Sequence, residues 1–470
     1  MRTSLHNPPT LRHRLVLFSA IFSLLLRGGI AITIVATTDG CTGTFSFRQS
    51  DSMTEARRLT QEGASLYAAG KYKEAVPFDE RALAIYEKAL GPDHIAVAGA
   101  LNNLALLYDY DGDYAKAEPL YVRALSIREK TLGPDHLDVA MSLFSLGGLY
   151  NTQGQYALAE PLYLRALSIR EKALGPDHPD VAQCVNSLAL LYKTRGNFDR
   201  AEPLYQRALM IFEKVNHPDV ALTLNNLAAL YETKGDYAKA ESLYQRALFC
   251  LEKTLGPDHP DVALATNNLA VLYKTQKDYT KAEPMYQRAL AIYEKALGSD
   301  HPDVALSLSN LGVLYFETGD YSKAEPLYER ALTIREKALG PDHPLVANSL
   351  INLAELHRTI SEYVKAEPLY RRALAIYEKT LGPEHPDVAA ALNNLAGFYQ
   401  QKRDYAMAEP LYLRALSIYE KSLGPDHPVV ATLLNNLAEL YKASGSYAKA
   451  KPLYQRALTI REKAVAHKSQ

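Results

Sequence analysis

The sequence of 470 residues contains no tryptophan and only three cysteines. Cys41, Cys184 and Cys250 are an odd number and have no metal or redox spacing, which argues against a disulfide framework. Neither sign of charge predominates, because 52 basic and 53 acidic residues give a formal net charge of -1. Such a balance creates no overall field that would attract nucleic acid, and we predict no nucleic-acid partner.

Motifs of common catalytic sites are also missing. None of G-x-x-x-x-G-K-[ST], G-x-G-x-x-G, G-x-S-x-G, H-E-x-x-H or C-x-x-C occurs in the sequence. Each of these motifs supplies the backbone turn or the side-chain geometry that its chemistry requires. We therefore predict a protein that is not an enzyme and that uses no cofactor.

What the sequence has in abundance is one repeated unit, of which residues 303–344 are a clean copy. Its first half places Val304 and Leu308 on one apolar stripe at helical spacing. Asp320 can cap the second helix by accepting a hydrogen bond from a free backbone N–H group. Gly340 and the proline after it end that helix. The unit therefore predicts two helices joined by a short turn.

A tyrosine near the end of each first helix gives the register of the repeats. These positions are Tyr67, Tyr108, Tyr150, Tyr192, Tyr231, Tyr273, Tyr315, His357, Tyr399 and Tyr441. The step is 42 residues except for 41 at the start and 39 between Tyr192 and Tyr231. Two amphipathic helices cannot bury their own stripes, whereas stacked copies can. We predict an all-α fold, a right-handed α-solenoid of ten helix-turn-helix repeats.

The repeat carries the residue signature of a known family. Small residues, tyrosines and a turn glycine stand at fixed offsets, as in Ala105, Tyr108, Gly112, Ala117, Tyr121 and Ala124. With the L-N-N-L-A-x-L-Y opening, the Y-x-R-A-L-x-I-x-E-K centre and the L-G-P-D-H-P loop, this pattern resembles the tetratricopeptide repeats of kinesin light chains and their bacterial relatives. The resemblance covers about residues 54–467. Kinesin light chains carry a heptad coiled coil ahead of the repeats, and an apolar leader stands in that place here, so we do not expect motor association.

The repeat period divides the chain into three segments. Residues 1–53 lie outside it, residues 54–94 form an atypical capping repeat in which Asp79 replaces a tyrosine, and residues 95–467 form nine regular repeats. The 39-residue step shortens one inter-repeat loop to residues 215–218. A tolerated loop deletion is the interpretation we favour for this joint, and a hinge is the alternative.

The N-terminal segment allows three interpretations. Three arginines precede an apolar run from Leu15 to Leu26, and a second apolar stretch ends at Ala36. The pattern is typical of a cleaved export signal or of a single membrane anchor across both stretches. A disordered leader of a cytoplasmic protein is the third interpretation. We favour export or membrane anchoring, and expect a flexible linker from Thr37 to Ser52.

One column of amides makes the strongest candidate binding site. In seven repeats the residue five positions before the register residue is an asparagine, and Ser145 and Ser187 interrupt the column; the asparagines are Asn103, Asn226, Asn268, Asn310, Asn352, Asn394 and Asn436. Packed helices repeat about every 10 Å and an extended peptide rises about 3.3 Å per residue, so one amide would meet every third peptide residue. The resemblance implies that these asparagines hold cargo peptides. The alternative is a packing role, with each amide bonded to the neighbouring helix.

Residues directly after the register position would provide specificity. Four of them are basic, namely Lys193, Lys274, Arg358 and Lys442. We include them in the predicted peptide site, where they favour an acidic peptide. Solvated surface charge is the alternative interpretation.

Nine of the thirteen histidines occupy one loop position. They are His94, His136, His178, His217, His259, His301, His343, His385 and His427. A metal site needs three or four ligands that converge on one ion at about 2 Å, and one histidine per repeat cannot supply them. We predict that these histidines cap the following helices and that no metal is bound.

The second helices carry two further recurring features. Nine of them have a proline near the start, such as Pro326. This proline either kinks the helix or marks a later helix start. Each second helix also carries an arginine and a glutamate, such as Arg330 and Glu336, which form inter-helix ion pairs or surface charge.

The sequence thus predicts a non-catalytic scaffold that binds an extended peptide or a protein tail in a concave groove. A structural, self-assembling spacer and a regulatory partner of a separate enzyme are the alternatives. The last repeat has an apolar face with Leu453, Tyr454 and Leu458. We predict that this face is partly exposed. Two chains forming a homodimer through this face, or a frayed terminus, would explain it.

Overall fold

The computed structural model describes residues 43–68 and 70–469, and this part of the chain consists of helices without a strand. In chain order the helices are α1 (Gly43–Ala68), α2 (Tyr72–Leu90), α3 (Ile95–Asp111), α4 (Tyr114–Leu132), α5 (Leu137–Thr152), α6 (Tyr156–Leu174), α7 (Pro179–Thr194), α8 (Phe198–Lys214), α9 (Val220–Lys234), α10 (Tyr237–Leu255), α11 (Pro260–Thr275), α12 (Tyr279–Leu297), α13 (Pro302–Thr318), α14 (Tyr321–Leu339), α15 (Pro344–Thr359), α16 (Tyr363–Leu381), α17 (Pro386–Gln401), α18 (Tyr405–Leu423), α19 (Pro428–Ala443) and α20 (Tyr447–Ser469).

Each odd-numbered helix packs against the next helix to form a repeat, and each repeat then packs against the following one. The core of each repeat is built from small residues and an aromatic side chain. In repeat seven, Ala324 and Ala331 are fully buried and Tyr328 is 1% exposed. Alanines let the paired helices approach closely, while the tyrosine fills the space between repeats. The predicted all-α solenoid of ten repeats is confirmed.

Local capping sets the helix bounds. The Nδ1 atom of His343 accepts a hydrogen bond from the backbone N–H of Leu345 at 3.1 Å. Each of the other eight loop histidines likewise accepts from the backbone N–H of the residue two positions after it. Asp320 accepts from Lys323 N–H at the start of α14. The predicted capping roles of the histidine column and of Asp320 are confirmed. Pro326 lies inside α14, so the interpretation in which that helix begins later is wrong.

Two polar contacts recur between neighbouring repeats. The Tyr273 hydroxyl donates to Glu241 Oε1 of the preceding repeat at 2.8 Å. The same hydrogen bond joins Tyr108–Glu80, Tyr150–Glu118, Tyr192–Glu160, Tyr231–Glu202, Tyr315–Glu283, Tyr399–Glu367 and Tyr441–Glu409. Arg330 forms an ion pair with Glu294 at 2.6 Å. Equivalent pairs are Arg123–Glu87, Arg165–Glu129, Arg207–Glu171, Arg246–Glu213, Arg288–Glu252, Arg372–Glu336, Arg414–Glu378 and Arg456–Glu420. The inter-helix ion pairs expected for these residues are therefore present.

The shortened joint between α8 and α9 keeps most of these contacts. Arg246 still pairs with Glu213 across it. Elsewhere an aspartate of the longer loop binds a lysine of the next repeat, as Asp258 binds Lys295 at 2.6 Å, and the deletion removes that aspartate. His217 is 8% exposed and Asn216 takes a positive φ of 50° to complete the tighter turn. These contacts favour a tolerated deletion, and the hinge stays an untested alternative.

Successive turns of the superhelix touch each other. The Nε2 atom of His343, before repeat eight, donates to the carbonyl of Tyr110 in repeat two at 3.0 Å, and His385 binds Thr152 in the same way at 3.0 Å. Because Nδ1 already accepts a backbone hydrogen bond, Nε2 must carry the proton. We call this contact the inter-turn seam. It comprises His301, His343, His385 and His427 against the turns at Gly70, Gly112, Gly154 and Gly196.

The seam requires glycine at the opposing turns. Gly112 has a φ of 81°, and a Cβ atom on it would lie 2.8 Å from Pro344 Cδ. Gly154 has a φ of 70°, and its Cβ would lie 2.7 Å from Pro386 Cδ. A side chain at either position would clash and would also strain the backbone. One superhelical turn therefore takes six repeats, so that repeats seven to ten lie on repeats one to four.

The N-terminal boundary differs from the prediction. Helix α1 begins at Gly43, so residues 43–52 are helical and do not belong to a flexible linker. No proline interrupts this stretch and Ala56 and Leu59 are fully buried, which favours one continuous helix. The predicted export signal or anchor lies outside the described residues. Within 43–68 and 70–469, no helix combines the length and apolar content that crossing a bilayer requires.

The tyrosine–glutamate contacts between repeats should contribute measurably to stability. We predict that Tyr273→Phe lowers the free energy of unfolding by about 1 kcal/mol, because Glu241 loses a hydrogen bond at a half-buried site. The measurement is urea denaturation followed by circular dichroism. Tyr237→Phe is the matched control, since the Tyr237 side chain is 38% exposed and makes no hydrogen bond among the described residues. Equal effects of the two substitutions would contradict a structural role for this contact.

Acid should weaken the seam. Burial lowers the pKa of His427 to about 4, below the value near 6.5 of an unfolded chain. Between these values the unfolded state binds a proton that the folded state does not, so the stability contributed by neutral His427 is complete above pH 6.5 and is lost as the pH falls toward 4. His427→Asn keeps a capping side chain but does not titrate. We predict that, between pH 7 and 4.5, the unfolding free energy of the unsubstituted protein falls by about 2 kcal/mol more than that of His427→Asn.

The control for this prediction is His94→Asn, because His94 is an exposed cap outside the seam. Denaturant unfolding of each variant is compared with the unsubstituted protein at both pH values. If His94→Asn and His427→Asn change the pH dependence equally, burial in the seam does not govern the titration of His427.

Candidate peptide-binding groove

The odd-numbered helices lie on the inner side of the curve. Neighbouring odd-numbered helices contact each other directly, as α13 contacts α15 and α17 contacts α19, whereas contacts of this extent do not occur between described even-numbered helices. In a curved stack the elements that approach most closely line the concave wall. The inner wall therefore consists of α3, α5 and the following odd-numbered helices, which carry the predicted asparagine column.

The asparagine column forms part of a ladder of amides. Asn310 Nδ2 donates to Asn267 Oδ1 on the preceding inner helix at 2.9 Å, and Asn436 donates to Asn393 at 2.9 Å. Asn226 donates to Asn186 at 3.3 Å. Each bond uses one N–H of the donor amide and the oxygen of the acceptor amide. The packing interpretation thus describes part of what these three asparagines do.

The remaining asparagines of the column make fewer hydrogen bonds. Asn103, Asn268, Asn352 and Asn394 are half-buried on the inner wall and make no side-chain hydrogen bond among the described residues. Asn310 differs because it is 3% exposed, so a peptide could not reach it without movement of the wall. A ligand role for the column stays a prediction, and its best-placed members are the four that are half-buried without a side-chain partner.

The acceptors of the ladder were missed by sequence reasoning. Asn267 and Asn393 directly precede members of the predicted column, and the signal that could have found them is the N-N doublet in the L-N-N-L-A opening, whereas Asn186 precedes Ser187 and has no such signal. A helix presents consecutive residues about 100° apart, so a doublet can face both the preceding helix and the groove. Asn225 Oδ1 is buried without a partner, which shows that the ladder is incomplete near the shortened joint.

Three of the four predicted basic residues already have carboxylate partners. Lys274 pairs with Glu317 of the next inner helix at 3.1 Å, and Arg358 pairs with Glu355 at 2.6 Å. Lys442 lies 3.7 Å from Glu439 and is largely exposed. Lys193 is half-buried on the same wall. These pairs offset the positive charge on which the expectation of an acidic peptide depended.

Tyrosines of the outer helices reach the inner wall and organise its polar residues. The Tyr370 hydroxyl donates to the buried carboxylate of Glu355, which also holds Arg358. Burial, together with that carboxylate, raises the pKa of Tyr370 well above its ordinary value. Tyr412 donates to Gln400 Oε1 at 2.9 Å in the next repeat. Such contacts fix the rotamers of wall residues and make the groove rigid.

Within the described part of the chain, the histidine, cysteine and acidic side chains do not form a metal site. No group of three or more histidine, cysteine, aspartate or glutamate side chains converges there as a metal site. Cys184 is fully buried next to Arg170, and burial raises the pKa of its thiol. A buried thiol with a raised pKa is a poor nucleophile. The wall is therefore suited to hydrogen bonding and packing.

The fold and the wall define an α-solenoid built for protein contacts. The tetratricopeptide repeat family profile matches residues 55–130, 110–172, 138–214, 219–295, 261–337, 303–379 and 387–463. The chain therefore belongs to the tetratricopeptide repeat family, which confirms the predicted family. Proteins of this family are generally non-catalytic scaffolds for protein–protein interaction.

Solved structures give similar proteins. BtubC (BKLC) from P. vanneervenii is 26% identical, with 49% of this chain and 89% of that chain covered and a TM-score of 0.40. A putative kinesin light chain of Podosopora anserina with nearly identical TPR-like repeats is 29% identical, with 44% and 97% covered and a TM-score of 0.38. A Rap protein complexed with Competence and Sporulation Factor is 16% identical, with 78% and 99% covered and a TM-score of 0.51, a likeness of fold alone. No curated protein matches the chain.

Asparagines that bond the preceding inner helix should contribute more to stability than asparagines that do not. We predict that Asn310→Ala lowers the free energy of unfolding by about 1.5 kcal/mol, because it leaves the buried Asn267 oxygen without its donor. Asn268→Ala should change it by less than about 0.5 kcal/mol, since Asn268 is half-buried and bonds no other described side chain. Denaturant midpoints of both variants measure the difference. A larger cost at Asn268 would show that its amide serves the scaffold as well.

Proposed function

We propose that the protein is a non-catalytic scaffold that binds an extended peptide, or the extended tail of another protein, along the inner wall. The observation that carries the proposal is the row of half-buried carboxamides on α9, α11, α15, α17 and α19. Membership of the tetratricopeptide family supports a role in protein contacts. The Rap structure holds Competence and Sporulation Factor, which is consistent with a solenoid of this fold taking a partner.

Main-chain recognition follows from the chemistry of the amide. An asparagine side chain offers a donor and an acceptor at once, so it can bind a peptide C=O and N–H together. Inner helices about 10 Å apart would meet every third residue of a strand that rises about 3.3 Å per residue. The row would therefore bind extended backbone with little regard to sequence, and a folded domain or a helix would not match its spacing.

The C-terminal half of the groove offers the most accessible wall. Asn352 and Asn394 on α15 and α17 are half-buried, whereas Asn310 and its neighbour Ser309 on α13 are each 3% exposed. We place the principal ligand contacts on α11, α15 and α17, which carry Asn268, Asn352 and Asn394. Arg358 and Gln400 lie beside this stretch and would select among peptide side chains, because their own hydrogen-bond partners fix their positions.

The experiment uses peptides selected from a random dodecapeptide library on the full chain. We expect that the triple variant Asn268→Ala, Asn352→Ala, Asn394→Ala loses at least about tenfold in affinity for selected peptides of unrelated sequence. Three hydrogen bonds at about 0.5–1.5 kcal/mol each account for that loss. Affinities are measured by fluorescence anisotropy, and circular dichroism checks that helicity is unchanged.

A matched set of amides on the outer helices provides the control. Gln206, Gln245 and Gln287 are exposed, and each bonds a glutamate of its own helix. Their triple alanine variant should bind the same peptides as the unsubstituted protein does. If the inner triple variant binds normally, or if both triple variants lose affinity equally, the groove is not the peptide site.

A further inference from the structure

The free end of repeat ten carries an apolar surface that no described residue covers. A pocket of about 400 Å³ opens there and is lined by Lys442, Tyr447, Ala450, Lys451, Tyr454 and Gln455. Tyr447 is 67% exposed and Leu458, on the same helix, is 57% exposed. This end lies at the edge of the stack, where Lys442 of the inner helix α19 borders both the pocket and the groove.

The other repeats show what shape fits this surface. In repeats seven, eight and nine the residues equivalent to Tyr454 are Tyr328, Tyr370 and Tyr412, which are 1%, 1% and 3% exposed. They are covered because the inner helix of the following repeat packs against each outer helix. The surface on α20 has the same spacing of apolar residues and lacks only that helix. A single amphipathic helix would therefore fit it.

The charge at this end differs from the charge at every other junction between regular repeats. The residue at the position of Lys451 is a glutamate in repeats two to nine, namely Glu118, Glu160, Glu202, Glu241, Glu283, Glu325, Glu367 and Glu409. All of these except Glu325, which is followed by His357, accept a hydrogen bond from the next register tyrosine. In repeat nine, for example, Glu409 accepts from the Tyr441 hydroxyl at 2.7 Å. In repeat ten the equivalent residue is Lys451, which is exposed and has no ion-pair partner among the described residues.

We propose that this end docks an amphipathic helix of a partner protein whose carboxylate faces Lys451. The helix would occupy the place of an eleventh inner helix, with apolar residues against Tyr447, Tyr454 and Leu458. A glutamate at the register position would replace the usual tyrosine hydroxyl. An ammonium facing a carboxylate at the rim of an apolar contact sets the orientation and the choice of partner more than it adds affinity.

A second copy of the chain is a poor occupant for two reasons. Two such ends facing each other would bring Lys442 and Lys451 of both copies together, which like charges oppose. Among the residues of α1 whose side chains the structure describes, the exposed ones, such as Arg57, Arg58 and Gln61, are polar and offer no apolar complement. The charges therefore favour a different, acidic partner over self-association.

The test uses helical peptides based on α19, residues 428–443, because α19 already packs on an outer helix in this way. The peptides carry a lactam bridge on the solvent side, since a helix of this length is marginal alone. One version carries Glu and another carries Lys at the position of Tyr441. We expect the full chain to bind the Glu version at least about tenfold more tightly. Lys451→Glu should reverse the preference, and fluorescence anisotropy measures both.

A variant of an exposed apolar residue checks the site without risk to the fold. Leu458→Asp should abolish binding of the Glu peptide, whereas Val364→Asp, at a residue that is 91% exposed on an outer helix, should not. Equal affinity for the Glu and Lys peptides, or no binding of either, would overturn the proposal. Sedimentation that shows a dimer dissociated by Leu458→Asp would overturn it in favour of a second copy.

Discussion

The hydrogen bonds of the inter-turn seam constrain the rest of the structure. Each seam histidine that binds a carbonyl of an earlier repeat also caps the helix that follows it, so one side chain joins a local turn to a partner 233 residues away. Both ring nitrogens are in use, which requires the neutral form. With six repeats in each turn, the radius of the superhelix is fixed, and with it the width of the groove.

The inner helices are extensively buried. Most residues of the inner wall in repeats three to seven are buried or half-buried, and the amide ladder consumes part of the hydrogen-bonding capacity that a ligand would use. What is left is a row of partly exposed carboxamides. The proposed extended peptide would fit a wall of this kind. Contacts between repeats are each modest, since exposed ion pairs are worth about 0.2–1 kcal/mol, and their regular recurrence gives the stack its shape.

Much of this could be predicted from the sequence because the repeat is local. Histidine caps, the aspartate cap at Asp320 and the paired helices depend on residues a few positions apart, and the 42-residue period determines how copies stack. The seam could not be predicted, because it joins residues separated by almost half of the chain. The amide ladder was missed for a related reason. A column of asparagines was visible in the sequence, but the bond from a member of the column to an asparagine of the preceding inner helix depends on the rotation of neighbouring helices.

The most direct test of this account is the distance between repeats two and eight in solution. Nitroxide labels on Ala115→Cys and Asp342→Cys, in a background without Cys41, Cys184 and Cys250, lie near the two sides of the seam. Electron–electron double resonance at neutral pH then reports how the superhelix is wound. The account predicts one short, narrow distance distribution. A broad distribution of longer distances would show that successive turns do not touch and that the groove is not held at this width.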